Sequence, residues 1–159
     1  MTGRQRRQLN HFFVETFNNI LLYEEQALSD AGSGKLSVKE LHVLAAVGLL
    51  EAEGQNTMTR IAAALNITVG ALTTAVNTLI RKGYLARVAD QSDRRLVRVV
   101  LTESGRLADA RHSAFHEDML DHVAEILTEA DVETLTRSLD RLSAFFESAA
   151  QKQTTGEAP

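Results

Sequence analysis

A mainly α-helical chain interrupted once by a β-hairpin is the fold class this sequence predicts, on three observations. Apolar residues recur at helical spacing over most of the 159 residues, and the only proline is Pro159. One pair of strand-like runs, 84–89 and 96–101, flanks the polar tip Asp90-Gln-Ser-Asp-Arg-Arg95. Directly before it stand two short capped helices separated by a tight turn. Together these make a winged helix-turn-helix of about six helices and a wing of two to three strands.

The elements follow in order. Leu9, Phe13, Phe17, Ile20 and Leu21 carry a first helix from about Arg7 to Asp30. Gly32-Ser-Gly34 breaks it. Ser37 and Glu40 form a capping box, so a second helix starts at Ser37 and runs through Leu41, Leu44, Val47 and Leu50 to about Glu53. Thr57 caps a third, Met58 to Leu65, and Thr68 caps a fourth, Val69 to Lys82, stopped by Gly83. After the hairpin, Thr102 caps a fifth helix reaching about Leu127. Thr128 and Asp131 cap a sixth, about Ala130 to Ala150, ahead of a polar, frayed tail.

Along that sixth helix Leu135, Leu139, Leu142, Phe146 and Ala149 repeat at coiled-coil spacing. The first and last helices carry more apolar positions than one small winged domain covers. An intertwined homodimer buries them most economically, with a monomer packed on itself as the alternative. Residues 7–30 and 102–150 then form a helical dimerisation region, and residues 37–101 a DNA-binding region, in one chain of 1–159.

Charge supports that division. The net charge is −4, yet residues 60–106 hold eight cations and three anions, against nine and eighteen elsewhere. A basic middle between acidic ends suits a duplex partner. Small hydroxyl and amide groups at Thr73, Thr74 and Asn77, with Gly70, would face outward from the fourth helix, where they suit base edges and phosphates. The adjacent Arg94 and Arg95 mark the hairpin tip for a phosphate ridge or minor groove, and Asp93 is placed to orient one of them. No cysteine, nucleophile elbow or glycine-rich phosphate loop is present, so an enzyme is not expected. Without a long apolar run or signal-like stretch, the expectation is a cytoplasmic protein with no membrane partner.

The stretch TMTRIAAALNITVGALTTAVNTLIRKGYLARVADQSDRRLVRVVLTESG resembles the winged-helix core of the multiple-antibiotic-resistance regulator (MarR) family. The pieces that match are IAAALNIT, LIRKGYL, DQSDRR and LTESG. The resemblance implies a homodimeric regulator on a pseudo-palindromic operator, with recognition helix Thr68–Arg81 and wing residues Asp93, Arg94 and Arg95. The candidate DNA-contacting set is therefore Thr57, Thr68, Gly70, Thr73, Thr74, Asn77, Arg81, Asp93, Arg94 and Arg95. The acidic residue usual after the helix's last leucine is replaced by Ile80-Arg81, which adds positive charge.

FNNILLYEEQAL, LSVKELHVLAAVG and HSAFHEDMLDHV are similar to the branch that represses fatty-acid biosynthesis, the FabT-type regulators. That similarity implies control of lipid-synthesis genes, with a long-chain acyl group on acyl carrier protein as effector. An apolar lining for the acyl chain would come from Phe13, Phe17, Leu21 and Leu44.

His112 and His116, four apart, face the same way on the fifth helix. Glu24 and His42 lie on the first and second helices, which pack near the fifth in the fold the resemblance implies. The set then makes three imidazoles and a carboxylate, which suits zinc but does not separate the fatty-acid branch from a zinc-sensing one. The set also resembles the site of zinc-uptake repressors of the same family, so a zinc-responsive repressor is the alternative, and zinc the one candidate cofactor. His11 and His122 read as surface. A winged-helix module that binds only protein is the alternative of another class.

Overall fold

The computed structural model describes residues 1–30, 36–90 and 96–155. By contact they fall into two compact units, Met1–His116 and Glu117–Pro159.

The first unit opens with α1 (Gly3–His11) and α2 (Phe17–Asp30), joined without a break by one π-helical turn, Phe12–Thr16. The first helix therefore begins four residues earlier than Arg7. Thr2 starts it: its hydroxyl accepts from Gln5 N at 3.2 Å, and Gln5 Oε1 accepts from Thr2 N at 2.7 Å. In the π turn the Phe17 amide donates five residues back to Phe12. That extra residue rotates everything after it around the helix axis.

The core is built by α3 (Val38–Ala52), α4 (Met58–Ala64) and α5 (Val69–Arg81), with strands β1 (Leu85–Ala89) and β2 (Val97–Leu101). Ser37, Thr57 and Thr68 cap the three helices through their hydroxyls. Leu41, Leu44, Val47, Ile61, Leu72, Val76, Leu79 and Val99 are sealed within this cluster, and each such side chain contributes about 1.5–3 kcal/mol by burial. The strands pair antiparallel with Leu85 opposite Leu101 and Arg87 opposite Val99. An isolated bridge between Thr57 and Arg98 stands beside this two-stranded sheet. Gly83 takes φ +83° and lets the chain leave α5 directly for β1.

The hairpin is tied to the start of α6 (Glu103–Ile126). Thr102 N donates to Tyr84 O at 3.0 Å, and the Thr102 hydroxyl donates to Gly83 O at 2.7 Å. A Cβ on Gly105 would lie 2.1 Å from Tyr84 O, so only glycine admits this approach.

In the second unit, α7 spans Glu129–Thr155, past the Ala150 end expected from composition; a polar sequence without glycine or proline simply continues the helix. Thr128 and Asp131 cap it reciprocally. Of its seam, Leu135, Leu139 and Phe146 are exposed, while Leu142 and Ala149 are half-buried.

Among the described residues no single helix is long and apolar enough to cross a membrane. The pair α4 and α5 reaches the required hydropathy only together, bent by 105°, and its Ile61, Ala62, Leu72, Val76 and Leu79 are the core.

Candidate nucleic-acid interface and a buried histidine cluster

Helix α5 buries Leu72, Val76 and Leu79 and turns Thr68, Gly70, Thr74, Asn77 and Arg81 outward, with Thr73 half-buried. The outer face is therefore polar but almost uncharged. Its hydroxyls are already committed as donors: Thr73 Oγ1 to Val69 O at 2.7 Å, Thr74 Oγ1 to Gly70 O at 3.4 Å, Thr78 Oγ1 to Thr74 O at 3.1 Å. What these threonines offer outward is acceptor oxygen and methyl. Thr68 Oγ1 caps the helix from Ala71 N, and Thr57 Oγ1 does the same for α4 from Arg60 N. A Cβ on Gly70 would meet only Thr68 Oγ1, at 3.9 Å. Among the described residues, therefore, nothing around position 70 requires glycine.

The basic middle of the sequence is less free than its charge count suggests. Lys82 pairs with Glu40 at 2.7 Å and Arg106 with Glu51 at 3.0 Å. Arg98 bonds the buried Asp90 carboxylate, Gly54 O and Asn56 Oδ1, while the buried Asn56 holds Val99 O at 2.7 Å. Arg98 thus anchors the wing to the turn between α3 and α4. Arg87 Nη2 donates to Asn77 Oδ1 at 2.9 Å. Spacing in the sequence signals none of these partners, because each joins separate elements. Asp93, Arg94 and Arg95 lie outside the described residues.

Burial pushes the Glu40 carboxyl up, but hydrogen bonds from Lys82 and Ser37 outweigh it and hold the group below its ordinary value.

The expected apolar lining does not assemble in the chain. Leu44 is sealed in the winged core, whereas Phe13, Phe17 and Leu21 are exposed on the first helix and are not part of that cluster. Helical periodicity marks both kinds of position as apolar and does not separate core from pocket.

Glu24, His42, His112 and His116 do come together, from α2, α3 and α6. Glu24 and His112 are buried, at 3% and 4% exposure. Glu24 Oε1 lies 2.8 Å from His112 Nε2, 3.2 Å from His42 Nε2 and 3.6 Å from His116 Nε2. His112 and His116 Nε2 are 3.0 Å apart, a hydrogen-bond distance at which one ring donates and the other accepts. The ligand atoms of Glu24, His42 and His112 all fall within 4.8 Å of one another. His116 titrates below its ordinary value, through burial first and then the positive charge of His112. Burial raises the Asp109 carboxyl, one turn before His112.

Residues 35–96 match the model of the MarR family. The uncharacterized HTH-type transcriptional regulator YwhA of Bacillus subtilis (strain 168) is 30% identical over 90 residues, 57% of this chain. The chain spans 65% of that relative's length. The crystal structure of Streptococcus pneumoniae FabT in complex with DNA is 31% identical and superposes with a TM-score of 0.81, over 91% of this chain and 99% of that one. The S. aureus MepR–DNA complex, 22% identical with a TM-score of 0.71 over 86% and 95% of the two chains, shares the fold.

Proposed function

The chain belongs to the MarR family, and on that premise we propose that it represses transcription as a homodimer on a pseudo-palindromic operator. It is a DNA-binding transcription regulator, not an enzyme. The observation that carries this reading is the outer face of α5, a polar surface on a rigid helix-turn-helix with a wing alongside. Thr68, Gly70, Thr73, Thr74, Asn77 and Arg81 meet the major groove, and the wing arginines Arg94 and Arg95 meet the backbone or minor groove beside it. Two half-sites one duplex turn apart, about 34–36 Å, require two copies of the chain. The exposed apolar residues of α1 and α2 and the α7 seam are the surfaces a second copy would cover.

The genes controlled are those of fatty-acid and membrane-lipid synthesis, and a long-chain acyl group on acyl carrier protein is the effector. The likeness to FabT supports this. Gel shifts with and without long-chain acyl carrier protein test it: operator affinity changes at least several-fold if the reading holds. An unchanged affinity removes the acyl effector and leaves the DNA reading intact.

A second reading, a zinc-responsive repressor, rests on the histidine cluster. Zn–N and Zn–O bonds of about 2.0–2.1 Å place tetrahedral ligand atoms about 3.3 Å apart. Glu24 Oε1 stands 2.8 to 3.6 Å from the three imidazole nitrogens, and the ligand atoms of Glu24, His42 and His112 lie within 4.8 Å of one another, which supports this reading. One feature is missing: His112 Nδ1 is buried with no hydrogen-bond partner among the described residues, whereas a metal-bound imidazole ordinarily donates from that nitrogen. Bound zinc would supply a positive charge to Glu24, His42, His112 and His116, tying α2, α3 and α6 together. Metal analysis of chelator-free protein, with His112→Ala as control, separates the readings.

A further inference from the structure

Asn77 is exposed on the outer face of α5, and its carbonyl oxygen is not free. Arg87 reaches from β1 to donate to Oδ1 at 2.9 Å. A guanidinium has five donors and no acceptor, so it is the oxygen and not the amide nitrogen that faces Arg87. The orientation of the Asn77 amide is thereby fixed by chemistry. Its Nδ2 is left pointing away, with no partner among the described residues.

An unrestrained asparagine reads adenine with both atoms, Oδ1 accepting from N6 and Nδ2 donating to N7. Here a positive guanidinium stands beside Oδ1. The guanidinium takes one of the two lone pairs of Oδ1, and a base N–H brought to the other, adenine N6 or cytosine N4, must approach beside its positive charge and is the weaker partner. An edge of two acceptors meets the asparagine amide and the remaining guanidinium N–H groups together. Guanine, with O6 and N7, is the edge that offers two acceptors.

Resting on the reading of α5 as the groove-entering helix, we propose that Arg87 is a specificity-determining residue, which turns Asn77 into a donor and makes the Arg87–Asn77 pair a reader of guanine. The threonines one turn earlier complement it. Thr73 and Thr74 spend their hydroxyl protons on Val69 O and Gly70 O, so they accept from N–H-bearing edges. The helix thus presents acceptors near its start and donors near its end, and the operator half-site carries the opposite order.

Selection from a randomised duplex library, sequenced after binding, tests this with the full-length protein, Arg87→Met, Arg87→Lys and Asn77→Ala. The parent selects a guanine at one fixed position of each half-site. Arg87→Met frees Oδ1 and shifts that position toward adenine, with discrimination for guanine falling about tenfold. Arg87→Lys keeps a donor beside Oδ1 and retains guanine. Asn77→Ala loses preference at that position and at no other. If Arg87→Met weakens all sequences alike and selects the parent's site, the arginine holds a phosphate and the proposal is overturned. If Arg87→Met changes neither affinity nor selection, it is overturned as well. A parent that selects a site while Arg87→Met leaves it intact condemns this inference alone. A parent that binds no duplex condemns the DNA reading and this inference with it.

Discussion

Glu24 and His112, 88 residues apart, meet at 2.8 Å between Oε1 and Nε2, and both are nearly sealed from solvent. They hold α2 against α6 beside His42 of α3, so a helix of the exposed apolar arm is bonded to two helices that frame the winged core. Removing one member leaves a buried polar group without its partner. Glu24→Ala is expected to cost about 1–3 kcal/mol or more, read from urea denaturation. If zinc occupies the site, a chelator lowers the melting temperature of the parent and leaves Glu24→Ala unmoved. A parent indifferent to both zinc and chelator ends the metal reading.

Glu40 and Lys82 give the acid dependence. The Glu40 carboxyl titrates below its ordinary 4.5 in the folded chain. Its stabilisation is therefore present above pH 4.5 and is lost as pH falls through the lower folded value. Glu40→Gln keeps the capping box, which glutamine also forms, but removes the charge that Lys82 meets. The parent should exceed this variant by about 0.5–1 kcal/mol at pH 7, and the gap in urea melts should shrink as the pH is taken below the ordinary carboxylate value.

The wing base offers a sharper change. Asn56 accepts from Arg98 at 3.1 Å and donates to Val99 O at 2.7 Å while buried. Asn56→Ala leaves Val99 O unsatisfied and should cost about 1–3 kcal/mol. It should also speed amide exchange in β2 more than in α3. Equal acceleration in both would show that the turn does not anchor the wing.

Gly105→Ala forces a methyl group to within 2.1 Å of the Tyr84 carbonyl. Backbone, not a flexible side chain, is in the way, so α6 or the end of α5 must shift. The expected loss is about 1–3 kcal/mol, the usual range for overpacking. A thermal melt within one degree of the parent would contradict the contact.

Arg94→Ala and Arg95→Ala should weaken duplex binding across sequences. The slope of log affinity on log salt should become less steep by about 0.9 for each phosphate that the variant no longer neutralises. Thr74→Ala should instead relax sequence choice, by about 1–3 kcal/mol if the threonine touches a base edge. Variants at 94 and 95 that bind like the parent would remove the wing from the interface.

Local chemistry is legible in the sequence. The caps at Ser37, Thr57, Thr68 and Thr128 stand where the sequence puts them, because a cap involves only its own first turn. Thr2 and Gln5 carry the same signal, and it marks the true start of the first helix. The π turn at Phe12–Thr16 has no such local mark. Contacts between separate elements are harder to read. Glu24, His42, His112 and His116 could be grouped only through a resemblance. Arg87, Arg98 and Arg106 read as surface charge until their partners, 8 to 55 residues away, come into view.

The clamp formed by Gly83, Tyr84, Thr102 and Gly105 sets the two feet of the hairpin independently of its tip. Substitutions at 91–95 are therefore expected to leave the meeting of α5 and α6 unchanged. On the proposed function, the strength of the grip on a duplex can then be retuned at 91–95 while the helix face that meets the bases keeps its register.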